Sequence, residues 1–94
     1  MALLIDPPLW PRHGRVWGHL VSDASLDELH SFARTVGIPE RGFDRDHYDV
    51  PEDMHERLLA AGATLVDGRE LVRRLRASGL RVTAAQRRGH NPSP

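Results

Sequence analysis

Val16-Trp17-Gly18-His19-Leu20-Val21-Ser22-Asp23-Ala24-Ser25-Leu26-Asp27-Glu28 holds a strand signal followed at once by a helix start. Val16 to Val21 is a short apolar run with β-branched residues, which predicts a strand. Ser25-Leu26-Asp27-Glu28 has the spacing of a capping box. In that motif the serine hydroxyl accepts the amide three residues on, and the glutamate reaches back to the serine amide. Beyond it Leu26, Leu29, Phe32, Ala33 and Val36 recur at helical spacing, and Gly37 supplies a stop. A strand running directly into a capped helix points to an α/β domain.

The same grammar extends outward in both directions. Pro51 suits the first position of a second helix, with Glu52 and Asp53 at its positive end, Met54, Leu58 and Ala61 as its apolar stripe and Gly62 as its close. Asp67-Gly68-Arg69-Glu70 repeats the cap spacing for a third helix. Leu71, Val72 and Leu75 form its inner face, Arg73, Arg74 and Arg76 its outer face, and Gly79 its end. Ala2 to Ile5, Ala63 to Val66 and Leu80 to Thr83 are further strand candidates, while Pro7, Pro8 and Pro11 predict an extended loop through Trp10 to Gly14. The expected architecture is a single compact α/β domain over residues 1–83, a three- to four-stranded sheet covered by about three helices. Residues 84–94 lack apolar periodicity and are expected to form a disordered basic tail.

Composition narrows the function classes. The 94 residues carry thirteen arginines and no lysine against thirteen acidic groups, with six histidines and no cysteine. Disulfides, thiol nucleophiles and cysteine-ligated clusters are excluded. The balance is uneven along the chain: residues 1–67 sum to −6 and residues 68–94 to +6. No apolar run reaches the roughly 20 residues needed to cross a bilayer, and the first residues lack the pattern of a signal peptide, so no membrane association and a cytoplasmic location are expected. A thin core with two tryptophans is compatible with a homodimer.

Three features carry candidate chemistry. Asp6, Asp23 and Asp67 each follow a predicted strand, and parallel strands would gather them at one sheet edge. Each also has a plain structural reading: Asp67 as a helix cap, Asp23 as a turn residue, Asp6 as a shaper of the turn before Pro7. His19 shares a strand face with Trp17, Val21 and Asp23, a setting for a metal ligand, an acid–base group or a satisfied core histidine. Asp44-Arg45-Asp46-His47-Tyr48-Asp49-Val50-Pro51 crowds titratable groups into a predicted loop, where His47 and Asp49 are spaced to reach one ion. Arg12-His13-Gly14-Arg15, between Trp10 and Trp17, offers guanidinium forks for an anion beside stacking surfaces. No phosphate loop, dinucleotide fingerprint, zinc-protease helix or serine elbow is present.

Asp6-Pro7-Pro8, Gly14-Arg15, His19-Leu20-Val21-Ser22-Asp23, Asp27-Glu28-Leu29-His30, His47-Tyr48-Asp49-Val50 and Ala61-Gly62-Ala63 follow one another in an order that resembles the DUF4031 family. The likeness spans residues 1 to about 80 and implies a short protein of actinobacterial or phage kind with no known activity. It singles out Asp6, Arg15, His19, Asp23, His47, Tyr48 and Asp49.

The resulting expectation is a small ligand-binding domain for a phosphorylated or nucleotide-like ligand, with a divalent ion as a candidate cofactor. His19, His47, Asp23 and Asp49 are the candidate catalytic groups, Asp6, Arg15 and Tyr48 the candidate ligand-binding groups, and His47 with Asp49 the candidate metal ligands. Two alternatives stand beside it. One is a metal-dependent phosphodiester hydrolase holding magnesium or manganese on Asp6, Asp23 and Asp49; the other is an interaction module that uses the arginine face of the third helix toward nucleic acid or an acidic protein.

Overall fold

The computed structural model describes residues 2–82. Strand β1 (Leu3–Ile5) is followed by β2 (Trp10–Arg12) and the long β3 (Arg15–Ser22), which enters helix α1 (Leu26–Val36). Two short strands, β4 (Phe43–Asp44) and β5 (His47–Pro51), lead to helix α2 (His55–Ala60), strand β6 (Thr64–Leu65) and helix α3 (Gly68–Ser78). The sheet runs β4-β5-β3-β1-β6, with β2 paired to the first half of β3. Among the described residues only β1 and β6 pair in parallel; the other ladders are antiparallel.

The expected α/β domain with three helices is present, but its sheet has six strands rather than three or four. The additional strands have physical reasons to be inconspicuous. All three residues of β2 are exposed and one is proline, so β2 has no buried alternation and exists through its hairpin with β3. The turn of that hairpin is His13-Gly14, with φ of 53° and 74°, a pair of left-handed residues whose twist matches antiparallel strands. β5 places Tyr48 and Val50 inward and His47 and Asp49 on the other face, a period-two pattern carried by charged residues. Leu80 to Val82 form no strand, and Thr83 with residues 84–94 lies outside the described residues. Pro51 closes β5 instead of opening a helix; a 3-10 turn over Glu52–Met54 intervenes before α2.

The helix caps follow the sequence closely. Ser25 accepts the Glu28 amide and Asp67 accepts the Glu70 amide, while Gly37 and Gly79 end α1 and α3. The Glu28 carboxylate departs from the reciprocal pattern and accepts from the buried Ser22 hydroxyl, which in turn receives the Ser25 amide.

The helices divide between the two faces of the sheet. On one face Ile5, Leu20, Tyr48 and Val50 pack with Leu29, Ala33 and Val36 of α1 and Leu58 of α2. On the other, Leu4 and Val21 pack with Leu71 and Leu75 of α3. The α3 core draws only on β1 and the end of β3, so the face formed by β5 and the first half of β3 is left uncovered by helix. That uncovered half holds the candidate site.

Candidate functional site

Antiparallel pairing of β3 with β5 puts His19 directly opposite Asp49 and Leu20 opposite Tyr48. Alternation then fixes the faces: His19, His47 and Asp49 point to the open side, Leu20 and Tyr48 to the helix-covered side. The two imidazole centroids lie 5.0 Å apart at an interplanar angle of 76°. One ligand atom from each of His19, His47 and Asp49 falls within 4.8 Å of the others.

A buried carboxylate orients each imidazole. Asp6, 3 % exposed, accepts the His19 amide at 2.6 Å and meets His19 Nδ1 at 3.0 Å. Asp46, also 3 % exposed, lies 2.7 Å from His47 Nδ1 and accepts the Val82 amide with its other oxygen, with Arg81 at 3.6 Å. The preceding Arg45 takes a left-handed conformation, φ 61°, in the tight turn from which Asp46 enters the interior. His55 of α2 adds a hydrogen bond from its Nε2 to the Asp6 carbonyl at 3.1 Å.

His47 is the unusual member. Its Nδ1 faces Asp46, and its Nε2 lies 3.1 Å from Asp49 Oδ1. An ionised carboxylate only accepts hydrogen bonds, and a neutral imidazole has a single N–H. One of the two contacts therefore needs an additional proton or another cation.

Arg12 reaches the same place from the β2–β3 hairpin, its guanidinium 3.1 Å from Asp49 Oδ2. With the Arg12 side chain 57 % exposed, this pair contributes about 0–1 kcal/mol and is readily exchanged for another anion. Trp10 stands beside His19 with ring centroids 5.2 Å apart, and the Trp17 indole N–H donates to the Arg12 carbonyl at 3.0 Å. Two adjoining clefts meet here, of about 180 Å³ toward Arg12 and about 310 Å³ toward α3, and Trp10, His19 and His47 line both.

The remaining sequence candidates lie elsewhere. Asp23 sits at the far end of β3, four residues beyond His19 and thus about 13 Å along the strand. There it accepts the Ala2 amide and pairs with Arg74 at 2.7 Å. Burial opposes its ionisation, but the Ala2 amide and the Arg74 guanidinium outweigh that effect and hold its carboxyl below the usual range. The idea of Asp6, Asp23 and Asp67 at one sheet edge fails because β1 and β3 are antiparallel, which sends Asp23 to the opposite end. Asp67 caps α3.

Tyr48 is buried on the covered face, its hydroxyl 2.7 Å from His30 Nδ1, and burial followed by the charge of Glu40 pushes its pKa up. Arg15 pairs with Asp53 at 2.9 Å, outside the cleft that Arg12 lines. Of the arginines on α3, Arg73 forms a two-pronged pair with Glu70 and Arg74 holds Asp23.

Of the seven residues expected from the sequence, His19, His47, Asp49 and Asp6 come together and Asp23, Tyr48 and Arg15 do not. Arg12 stands at the cleft instead of Arg15, and Asp46, for which no role is expected, joins the group. The signal for Arg12 lay in the His13-Gly14 turn, which makes a hairpin of its flanks. Asp46 had no local signal, because its burial depends on residues 81 and 82 closing over it.

No helix among the described residues is long and apolar enough to cross a membrane. No curated protein and no solved structure matches the chain. A family model does match, that of a protein of unknown function, DUF4031, over residues 3–78, and the chain belongs to that family.

Proposed function

We propose that the open face is a divalent-metal-dependent binding site for a phosphorylated ligand. The observation that carries this reading is His47 lying between two carboxylates, Asp46 on Nδ1 and Asp49 on Nε2. With the proton on Nδ1, donated to Asp46, a cation between Nε2 and Asp49 satisfies both at once. His19 also has a carboxylate, Asp6, against its Nδ1, which with the proton on Nδ1 leaves Nε2 free for the cation. A carboxylate behind a histidine fixes its tautomer and strengthens it as a ligand.

Two imidazole nitrogens and one carboxylate suit zinc, manganese or iron better than magnesium, which prefers an all-oxygen shell. Around such an ion the ligand atoms stand about 3.4 Å apart, so the 4.8 Å group closes by a modest side-chain adjustment. Arg12 then releases Asp49 to the cation and offers its fork to the phosphate.

Three protein ligands also leave a position for water, and this favours phosphodiester hydrolysis as a second reading. In that reaction the water oxygen bonds to phosphorus while the ester oxygen leaves with a proton. The bound ion would supply a water acidic enough to react near neutral pH.

Calorimetric titration with zinc and with manganese tests the proposal. One ion per chain is expected, with binding abolished in His47→Ala and weakened about 10- to 100-fold in Asp46→Asn. Failure of the folded protein to take up either metal overturns the proposal. Turnover of bis(p-nitrophenyl) phosphate by the loaded protein, lost in His47→Ala, separates hydrolysis from binding alone.

A further inference from the structure

We infer that the ligand carries an unpaired nucleobase, which stacks on Trp10 while its phosphate meets Arg12. This rests on the phosphate reading above and names the class of ligand. Trp10 is 57 % exposed although it is among the largest apolar side chains in the protein, and packing in neither core accounts for it. It stands where the two clefts join. Among the described residues its one aromatic neighbour is His19, at 75°, so no ring lies parallel to the indole. A flat partner can lie there without displacing another.

The strand that carries the indole is well tied down. The β2–β3 hairpin closes through the two left-handed residues His13 and Gly14, Trp10 pairs directly across from Trp17, and the Trp17 indole ties back to the Arg12 carbonyl. An aromatic side chain on a fixed strand has only its own two side-chain torsions to lose on stacking. Trp10 and Arg12 are two residues apart on one strand, so they project from the same face about 7 Å apart. That separation is comparable to the reach between base and phosphate in a nucleotide. A sugar phosphate alone would satisfy Arg12 and leave Trp10 without a function.

The cleft beyond Trp10 favours a single base over a duplex. Its volume of about 310 Å³ lies at the low end for small-ligand pockets. Val21, Leu71 and Val72 supply apolar walls, with Arg81 as a polar group for a base edge. Every base has a π-face, so such a platform tolerates different bases, and the ligand can be a free nucleotide or an unpaired position in a strand.

Binding to the zinc-loaded full chain, followed by calorimetry and tryptophan fluorescence, tests the inference with AMP, ribose 5-phosphate and a single-stranded deoxyadenylate hexamer. AMP is expected to bind about tenfold more tightly than ribose 5-phosphate and to quench the fluorescence. Trp10→Ala should erase that preference and Trp10→Phe should restore most of it, while Leu9→Ala, at the exposed neighbouring position, leaves it intact. Zinc uptake should be the same in all three variants. A hexamer that binds better than AMP identifies a strand as the source of the base; the reverse identifies free nucleotide. Equal affinity for AMP and ribose 5-phosphate overturns the inference and leaves the phosphate reading standing. Failure of both to bind overturns the two together, and zinc uptake then shows whether the metal reading survives.

Discussion

The two faces of β5 differ by a single step along the chain and behave as different materials. Tyr48 and Val50 are at most 2 % exposed and lie in an apolar cluster closed by α1 and α2. The Tyr48 hydroxyl, buried there with them, has its partner in His30. His47 and Asp49 face the other way, half-buried, among Asp46, Arg12 and His19. The buried hydroxyl on the closed face has its partner, whereas on the open face His47 meets two carboxylates with a single N–H in its neutral form. A sheet face without a helix must meet either solvent or a ligand, and a surplus of carboxylate around imidazole favours a cationic one.

The largest test of this contrast compares stability across the sheet. Leu20 is fully buried between strands and α1, and Leu20→Ala is expected to cost about 3 kcal/mol in urea unfolding. Arg12→Ala, on the open face, should cost about 0.5 kcal/mol or less, because its ion pair is exposed. Similar losses in the two variants would mean that the open face contributes to the fold as much as the closed one.

A second substitution joins the faces. A Cβ at Gly18 would stand 2.7 Å from the Asp6 carbonyl and 3.3 Å from its Oδ1. By alternation that Cβ belongs to the covered side with Leu20, yet the group it strikes is the carboxylate residue that orients His19. Gly18→Ala is therefore expected to cost about 2 kcal/mol in stability and to weaken zinc binding as well. Loss of stability with unchanged zinc affinity would show that His19 does not depend on Asp6.

How much of this was legible in the chain follows from how local each determinant is. The caps at Ser25 and Asp67 involve an atom and an amide three residues apart, and both are found as the spacing predicts. The pairing of His19 with His47 required two segments 28 positions apart to be neighbours, which the shared polar character of those segments suggested without fixing it. Tyr48 was misplaced for a related reason: once His47 and Asp49 face the cleft, alternation excludes Tyr48 from it, but the segment had first to be recognised as a strand. Asp23 depended on strand direction. A parallel β3 would have carried it to the site, and the antiparallel ladder with β1 carries it to the far end. Arg12 stands in the sequence as one of two arginines flanking His13-Gly14, and nothing local ranks it above Arg15, because an exposed strand containing proline has no hydrophobic pattern to show which way its side chains face.

Asp23 supplies the smallest test, and the one that best separates the two ends of β3. Its carboxyl is held below the usual range, since the Ala2 amide and Arg74 together prevail over the effect of burial. A carboxyl whose pKa is lower in the folded than in the unfolded chain adds stability above the unfolded value. That increment disappears as pH falls through the folded value. Asp23→Asn should therefore be less stable than the parent by about 1 kcal/mol at neutral pH, the range of a partly buried charged pair. The difference should vanish in strong acid, where the parent carboxyl is also protonated. Urea midpoints at the two pH values measure it. Zinc affinity should not change, because this carboxylate stands about 13 Å along the strand from His19. A variant that kept its stability but lost zinc affinity would return Asp23 to the proposed site and remove the distinction between the fastened end of β3 and the end that carries His19.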